Sequence, residues 1–482
     1  MKTQDNDGSR QLDSLAVFAL FYLALPTFIF LLGWLRPVVG WPLALLLLAG
    51  FWRICRLPLS GLKSAMGKQG VVVILAGVIW SCFGGAGHLF HAAQDWLVRG
   101  AVFRDLAVAD WPVAYGTDAE GMLQVLRCPL GYFLPAAWLA KAFGVQAADG
   151  LLLGWTAIGV ALFMLLLPLS RDSYPRLILG LLVVVFFSGM DIVTLLGEGR
   201  LLFKDGFLEW WVWPYHYASN TTLLLWAPNH SLPAWLGGAL IMRHWRNPDF
   251  CRILPVLMAV TLIWTPFAFV GLAPFALLAG VGMLRRHGWG YGLIDVVPSL
   301  LTVAVIAAYF SLDAGGIPTV PQHDPSDAWP ILVYKYVLFV ILEFLFLGLL
   351  LLNINRSPAL MLAIMALLLI PLGNFGPGND WVSRTSIAPL LVLCWSVLDV
   401  VERMDFRRDP VRFSLIGIIL VVGAVTPTNE FYKSIMGPGA PYDTGHGLRE
   451  IIEARSLPLP RHYVARLNQG AWLGRSLLRP IE

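Results

Sequence analysis

Charge is scarce in this chain: only 13% of its 482 residues are Asp, Glu, Lys or Arg. Typical soluble domains carry roughly 25%, and no stretch here is both polar enough and long enough to fold as a separate soluble unit. Cysteine is scarce too. Cys55, Cys82, Cys251 and Cys394 lie in or beside apolar runs and Cys128 stands alone in a polar stretch, so neither a disulfide framework nor a paired-Cys metal site is visible. No internal repeat is visible either, which leaves an inverted-repeat transporter without support. The net charge of +4 is modest and the basic residues sit in a few short clusters, a pattern that speaks to membrane orientation and against a nucleic-acid partner. The first apolar run follows MKTQDNDGSRQLDS and lacks both the short core and the small-residue cleavage site of a signal peptide. It is expected to remain as a span.

Apolar sequence is abundant: 57% hydrophobic residues, 20 Trp and a mean hydropathy of +0.70. This composition predicts an all-α polytopic membrane protein, one membrane domain over 1–482. At roughly 20 residues per span, about thirteen transmembrane helices are expected. Three fall within 15–87; after an outer loop at 88–148 the rest occupy 149–427, and a C-terminal tail fills 428–482. The clusters RICRLPLSGLKSAMGK (53–68), RHWRNPDFCR (243–252), RRH (285–287) and ERMDFRRDPVR (402–412) mark the cytoplasmic side. The N-terminus is then cytoplasmic and the tail outside. The segment 129–144, PLGYFLPAAWLAKAFG, fits this arrangement only as an interfacial or re-entrant piece. The tail, with an amphipathic LREIIEARSLPLPRHYVARL, is expected to form an ordered cap.

The loop at 88–148 concentrates charge that the rest of the chain avoids: Asp95, Arg99, Arg104, Asp105 and Arg127 among others. Asp95 and Arg99 are one helical turn apart and can pair on one face. Their plainest reading is an interfacial helix anchored in the headgroups by Trp96. The functional reading makes Asp95 or Asp105 a general base. A two-carboxylate hydrolase pair is disfavoured, since ten residues of continuous helix rise ~15 Å, beyond the ~5–9.5 Å such pairs use, unless Gly100 breaks the helix.

A second polar region, 196–230, carries Glu209, His216, Asn220, Asn229 and His230 among Trp residues, with Glu198, Arg200, Lys204 and Asp205 ahead of them. Aromatic faces beside carboxylates and amides suit a sugar, stacking on C–H faces while bonding hydroxyls; an aromatic belt is the plainer alternative. Asp191 and Glu343 are ionisable groups in apolar surroundings and need partners or a cavity. In GNFGPGNDWVSRTS, Asp380 and Arg384 are again one turn apart. They read as a helix-start ion pair, with Asn379 or Ser383 as cap, or with Arg384 as a phosphate ligand.

The layout resembles the GT-C superfamily of membrane glycosyltransferases, in the long first outer loop with Asp95 and Asp105 and in the following PLGYFLPAAWLAKAFGV (129–145). The likeness covers about the first third of the chain; two extra spans precede the loop, and His88 and His91 stand where the family has an acidic pair. It implies Asp95 or Asp105 as the base that deprotonates an acceptor hydroxyl. It also implies Arg99, Arg104 or Arg127 at the phosphate of a polyprenyl-phosphate sugar donor. Asp191, Glu209, His216, His230, Asp380 and Arg384 complete the expected substrate-binding set. No cofactor is firmly implied; a divalent metal is left open, and His216 with His230 lack the spacing of a single-helix metal pair. The expected partners are membrane lipid, a lipid-linked sugar and a glycan or lipid acceptor, on the periplasmic face of a bacterial inner membrane. A polymerase or ligase of lipid-linked glycans, or a transporter or flippase of an envelope precursor, are the alternatives.

Overall fold

The computed structural model describes residues 12–60, 67–193, 207–288, 292–319, 328–403, 409–437, 445–467 and 476–481. Glu198, Arg200, Lys204 and Asp205 lie outside them. The chain is a multi-pass protein whose described residues are mostly helical, with almost no sheet. Its helices are α1 (Ser14–Gly33), α2 (Pro37–Cys55), α3 (Lys68–Cys82), α4 (Trp96–Val108), α5 (Leu134–Phe143), α6 (Ala148–Leu166), α7 (Tyr174–Phe186), α8 (Asn220–Trp226), α9 (Pro228–His244) and α10 (Phe250–Leu262). They continue with α11 (Pro266–His287), α12 (Leu293–Ser311), α13 (Trp329–Ile354), α14 (Pro358–Leu372), α15 (Asp380–Thr385), α16 (Ile387–Arg403), α17 (Pro410–Gly423), α18 (Val425–Met436) and α19 (Leu448–Glu453).

Among the described residues, eight helical stretches are long and apolar enough to cross a membrane. Four shorter apolar helices accompany them: α3, α7, α10 and α14. The difference from about thirteen regular spans has a source in Pro and Gly. The run at 250–287 splits into α10 and α11 at Thr265-Pro266, where Thr265 caps α11 by accepting from the Phe267 N–H. The run at 410–436 is interrupted at Ala424 between α17 and α18. At ten residues, α5 is about 15 Å long, half the ~30 Å hydrocarbon core; its buried face, with Leu134, Ala137 and Ala140, packs on protein.

Helix α9 is the central post. Nearly every side chain on it is buried, and it packs against α6, α10, α11 and α16. Such all-round burial makes it polar-tolerant, provided its polar groups find partners. Helix α11 comes so close to the turn between α15 and α16 that a Cβ at Gly271 would sit 2.5 Å from the Thr385 carbonyl oxygen. Only glycine permits that approach, and it sets the N-terminus of α11 beside Arg384.

The two ends of the bundle differ. At one end Arg53 pairs with Asp295 at 3.1 Å, Arg243 with Asp13 at 2.7 Å, and Arg171 and Arg286 donate to the Leu165 and Trp245 carbonyls. The basic clusters picked out in the sequence therefore gather on one side. The polar loop and the tail gather at the other. Strands β1 (Ala114–Thr117) and β2 (Leu123–Leu126) form a hairpin in the loop, and β3 (Val464–Leu467) of the tail adds antiparallel to β2, with Leu123 opposite Leu467 and Leu126 opposite Val464. The loop thus contains a small sheet as well as helices. Ion pairs clamp this sheet: Arg466 to Asp118 at 2.7 Å and to Glu120 at 3.0 Å, and Arg461 to both oxygens of Asp313 at 2.9 Å. The described part of the tail at 445–467 folds onto the loop through α19 and β3.

Candidate functional site

A cavity of about 850 Å³ lies between the loop, the tail and the ends of α9, α11, α12 and α15. Its volume falls within the ~300–1,000 Å³ usual for small-ligand sites. Eight of the eleven residues singled out in the sequence line it: Asp95, Arg99, Arg127, Glu209, His216, His230, Asp380 and Arg384. Three do not: Arg104, Asp105 and Asp191.

Two Asp–Arg pairs form its charged centre. Helix α4 runs unbroken through Gly100, beginning directly after Asp95, and puts Arg99 Nη2 3.1 Å from Asp95 Oδ2. Helix α15 holds Asp380 and Arg384 at 3.5 Å. Asp380 also lies within electrostatic reach of Arg99, so the two pairs face each other across the space. Arg99 is only 4% exposed, yet its Nε and Nη1 groups make no well-aligned hydrogen bond among the described residues, with the Tyr463 phenol beside the guanidinium. The Nε of Arg384 has only the 3.5 Å ion pair with Asp380. Buried guanidinium N–H groups left without acceptors are costly; an anion in the cavity would satisfy them. Arg127 is different, since it donates to the Phe310 and Arg461 carbonyls at 3.2 and 2.6 Å and so ties the tail to the end of α12.

Electrostatics reinforce this. Four arginines line the cavity, Arg99, Arg127, Arg384 and Arg455, against three carboxylates. One of the three, Glu209, is buried and lies near the Asp191 carboxylate, both of which raise its pKa well above the carboxylate range. Burial pushes the His216 imidazole down to about 3, helped by Arg384, so it is neutral at physiological pH. The cavity is therefore net positive. Its aromatic walls are Phe207, Trp210, Trp226, Phe267, Phe310 and Phe375, arranged around the amide of Asn229 and around His230, whose Nδ1 lies 2.8 Å from Thr265 Oγ1. No group of three or more His, Cys, Asp or Glu among the described residues is placed to hold a metal ion.

The remaining candidates have other surroundings. Asp105 accepts from the Tyr115 hydroxyl and the Leu448 N–H, both at 2.9 Å, and so fixes the start of α19 on α4; burial raises its carboxyl. On the continuous helix it is ten residues from Asp95, about 15 Å, and the two cannot act as a dyad. Asp191 accepts from Thr426 Oγ1 at 2.7 Å and Ser188 Oγ at 3.4 Å and hydrogen-bonds with Glu343, which in turn accepts from Trp211 Nε1 at 3.0 Å. Glu343 sits in a π-helical turn, Ile341–Leu345, and Gly189 is the close neighbour that makes room for it: a Cβ there would stand 2.1 Å from Glu343 Oε2.

Two local expectations are corrected. Trp96 is 1% exposed and donates to the Leu225 carbonyl at 2.7 Å, so it is a core residue and no headgroup anchor. Asn379 occupies the N-cap position of α15, but its amide donates to the Pro214 carbonyl at 3.1 Å instead of capping. The structure also adds residues that spacing does not reveal. Gln94 lines the cavity beside Asp95, and the tail contributes Arg455, His462 and Tyr463. The Tyr463 phenol lies beside Arg99 with its pKa pushed up to about 12 by burial; His462, its pKa lowered by burial, lies near Asp380 and Asp95. Comparison of the chain with protein-family models, with curated proteins and with solved structures found no match.

Proposed function

We propose that the protein is a membrane glycosyltransferase that moves a sugar from a polyprenyl-phosphate donor to a glycan or lipid acceptor of the cell envelope. The observation that carries this reading is the facing of Asp95–Arg99 and Asp380–Arg384 across an aromatic-walled cavity, with N–H groups of the buried Arg99 left without well-aligned acceptors. The donor phosphate sits on Arg99 and Arg384, and the sugar stacks on the aromatic walls. Asp95 takes the proton of the acceptor hydroxyl. The acceptor oxygen bonds the anomeric carbon as the bond from that carbon to the phosphate oxygen breaks, and the electron pair leaves on the phosphate, where the arginines stabilise it. A single displacement inverts the anomeric configuration.

In this reading the arginine-rich end of the bundle is cytoplasmic and the cavity end periplasmic, in a bacterial inner membrane, with the short and interrupted helices completing about thirteen spans. A transporter or flippase is the second reading, favoured by the Asp191–Glu343 pair at its π-turn. Transfer is preferred because neither of those residues lines the cavity, whereas Asp95 does. The test uses purified protein in lipid vesicles with radiolabelled polyprenyl-phosphate sugars and a crude envelope lipid extract as acceptor. Transfer that falls ~10²–10⁴-fold in Asp95→Asn, the range of general-base contributions, supports the reading. Sugar moved across the vesicle membrane with no new glycosidic bond overturns it.

A further inference from the structure

Beside the main cavity lies a second chamber of about 310 Å³, between the start of α4 and α18. Gln94, Phe207 and Trp226 line both spaces, so the chambers are neighbours separated by two rings and one amide. The rings meet edge to face, with centroids 4.2 Å apart and an interplanar angle of 77°. The partition is held rigidly. Trp226 Nε1 donates to Glu430 Oε2 at 2.7 Å, Lys433 Nζ pairs with Glu430 Oε1 at 2.9 Å, and the same ammonium lies 5.8 Å from the Phe207 ring centroid. Glu430 itself is only 4% exposed, and its two oxygens are bonded to the indole and the ammonium.

The order of groups along the start of α4 then acquires a meaning. Gln94 faces both chambers, Asp95 is the next residue, and Arg99 follows one turn later, about 6 Å along the axis. A hydroxyl reaching from the side chamber past Gln94 meets Asp95 first, while an anion on Arg99 lies beyond it. The chamber offers what a single sugar ring requires: the aromatic rings of Phe207 and Trp226 for C–H stacking and the amide of Gln94 for hydroxyls. Its volume is at the lower limit of small-ligand sites, too small for a polyprenyl chain and suited to one residue of a glycan.

We propose that this side chamber is the acceptor subsite, holding a terminal sugar of the acceptor and presenting its hydroxyl past Gln94 to Asp95. The inference rests on the transfer reading above and assigns the acceptor as a glycan or a glycolipid with an exposed sugar, delivered to a place separate from the donor phosphate.

The test is binding by the full-length protein in lipid nanodiscs, with two probes: a panel of methyl hexosides followed by saturation-transfer NMR, and dodecyl phosphate followed by native mass spectrometry. Ala93→Phe fills the chamber, and the double variant Glu430→Gln/Lys433→Met loosens its polar wall without leaving a buried charge unpaired. Both are expected to weaken hexoside binding at least tenfold and to change dodecyl phosphate binding less than twofold. Arg99→Gln is expected to do the reverse. Hexoside binding unchanged in both chamber variants, or absent from the wild-type protein, overturns the subsite. Hexoside binding in the chamber without any binding of dodecyl phosphate to the wild-type protein overturns the transfer reading, and with it the role of acceptor.

Discussion

At the level of single residues, the two aspartates of the loop separate by their surroundings. Asp95 faces the cavity with one oxygen on Arg99, whereas Asp105 is occupied by Tyr115 and the Leu448 N–H. Asp105→Asn is therefore expected to lower stability and leave the proton-transfer step in place, while Asp95→Asn is expected to remove that step whatever it costs in stability through Arg99. Melting temperature and turnover measured on the same two preparations check this. His216 yields a pH effect of defined sign. Its folded form is neutral with a pKa of about 3 against 6.5 when unfolded. Between those values the unfolded chain binds the extra proton, so His216 contributes stability above 6.5 that is lost as pH falls toward 3. Thermal melts of the solubilised protein are expected to fall less steeply between pH 6.5 and 4 in His216→Gln than in the wild type; equal slopes would remove His216 from the account.

At the level of elements, the site depends on pieces distant in sequence that are held by few contacts. Asp313 adopts a left-handed backbone conformation, accepts both bonds from Arg461 and also takes the Arg466 N–H at 3.0 Å, so one side chain holds both ends of the tail segment that carries His462 and Tyr463. Asp313→Asn tolerates the same backbone and removes the charge. The expected cost is about 2 kcal/mol, from charged hydrogen bonds of ~1.5–3 kcal/mol that are weakened without being wholly lost, with faster limited proteolysis between residues 445 and 467. This also explains what was readable in advance. The pairs Asp95–Arg99 and Asp380–Arg384 follow from one-turn spacing. That α4 and α15 face one another does not follow from spacing, because it depends on α9 and on the approach at Gly271. The tail's share of the site was hidden as well. Its only local signal is the short alternation at Tyr463–Leu467, and the partner of that strand lies in the hairpin of the first loop. Trp96 misled for a related reason: an indole near charges suits a headgroup region as well as a core with a carbonyl to meet it.

For the whole molecule, the decisive property is polarity between its ends. Arg53, Arg171, Arg243 and Arg286 are fixed to carboxylates or carbonyls at one end. The C-terminal segment is fixed at the other, where the Arg36 N–H donates to the Leu477 carbonyl and the Arg479 N–H to Trp34. Because Arg and Lys in short loops are retained on the cytoplasmic side, the orientation proposed above places the arginine-rich end there and the tail and the cavity on the opposite face. A fusion of alkaline phosphatase to the C-terminus is expected to be active and a green fluorescent protein fusion to be dark. Cys128, which lines the cavity, is the sole cysteine there. In a variant keeping only this cysteine and carrying Phe375→Ala to widen access, a membrane-impermeant maleimide added to intact cells is expected to react, and dodecyl phosphate to slow it. A bright fluorescent fusion, or labelling only after the cells are opened, would put the cavity on the cytoplasmic face. A donor presented on the outer leaflet could then not reach Arg99 and Arg384, and the transfer reaction would have to draw on a sugar carrier of the inner leaflet.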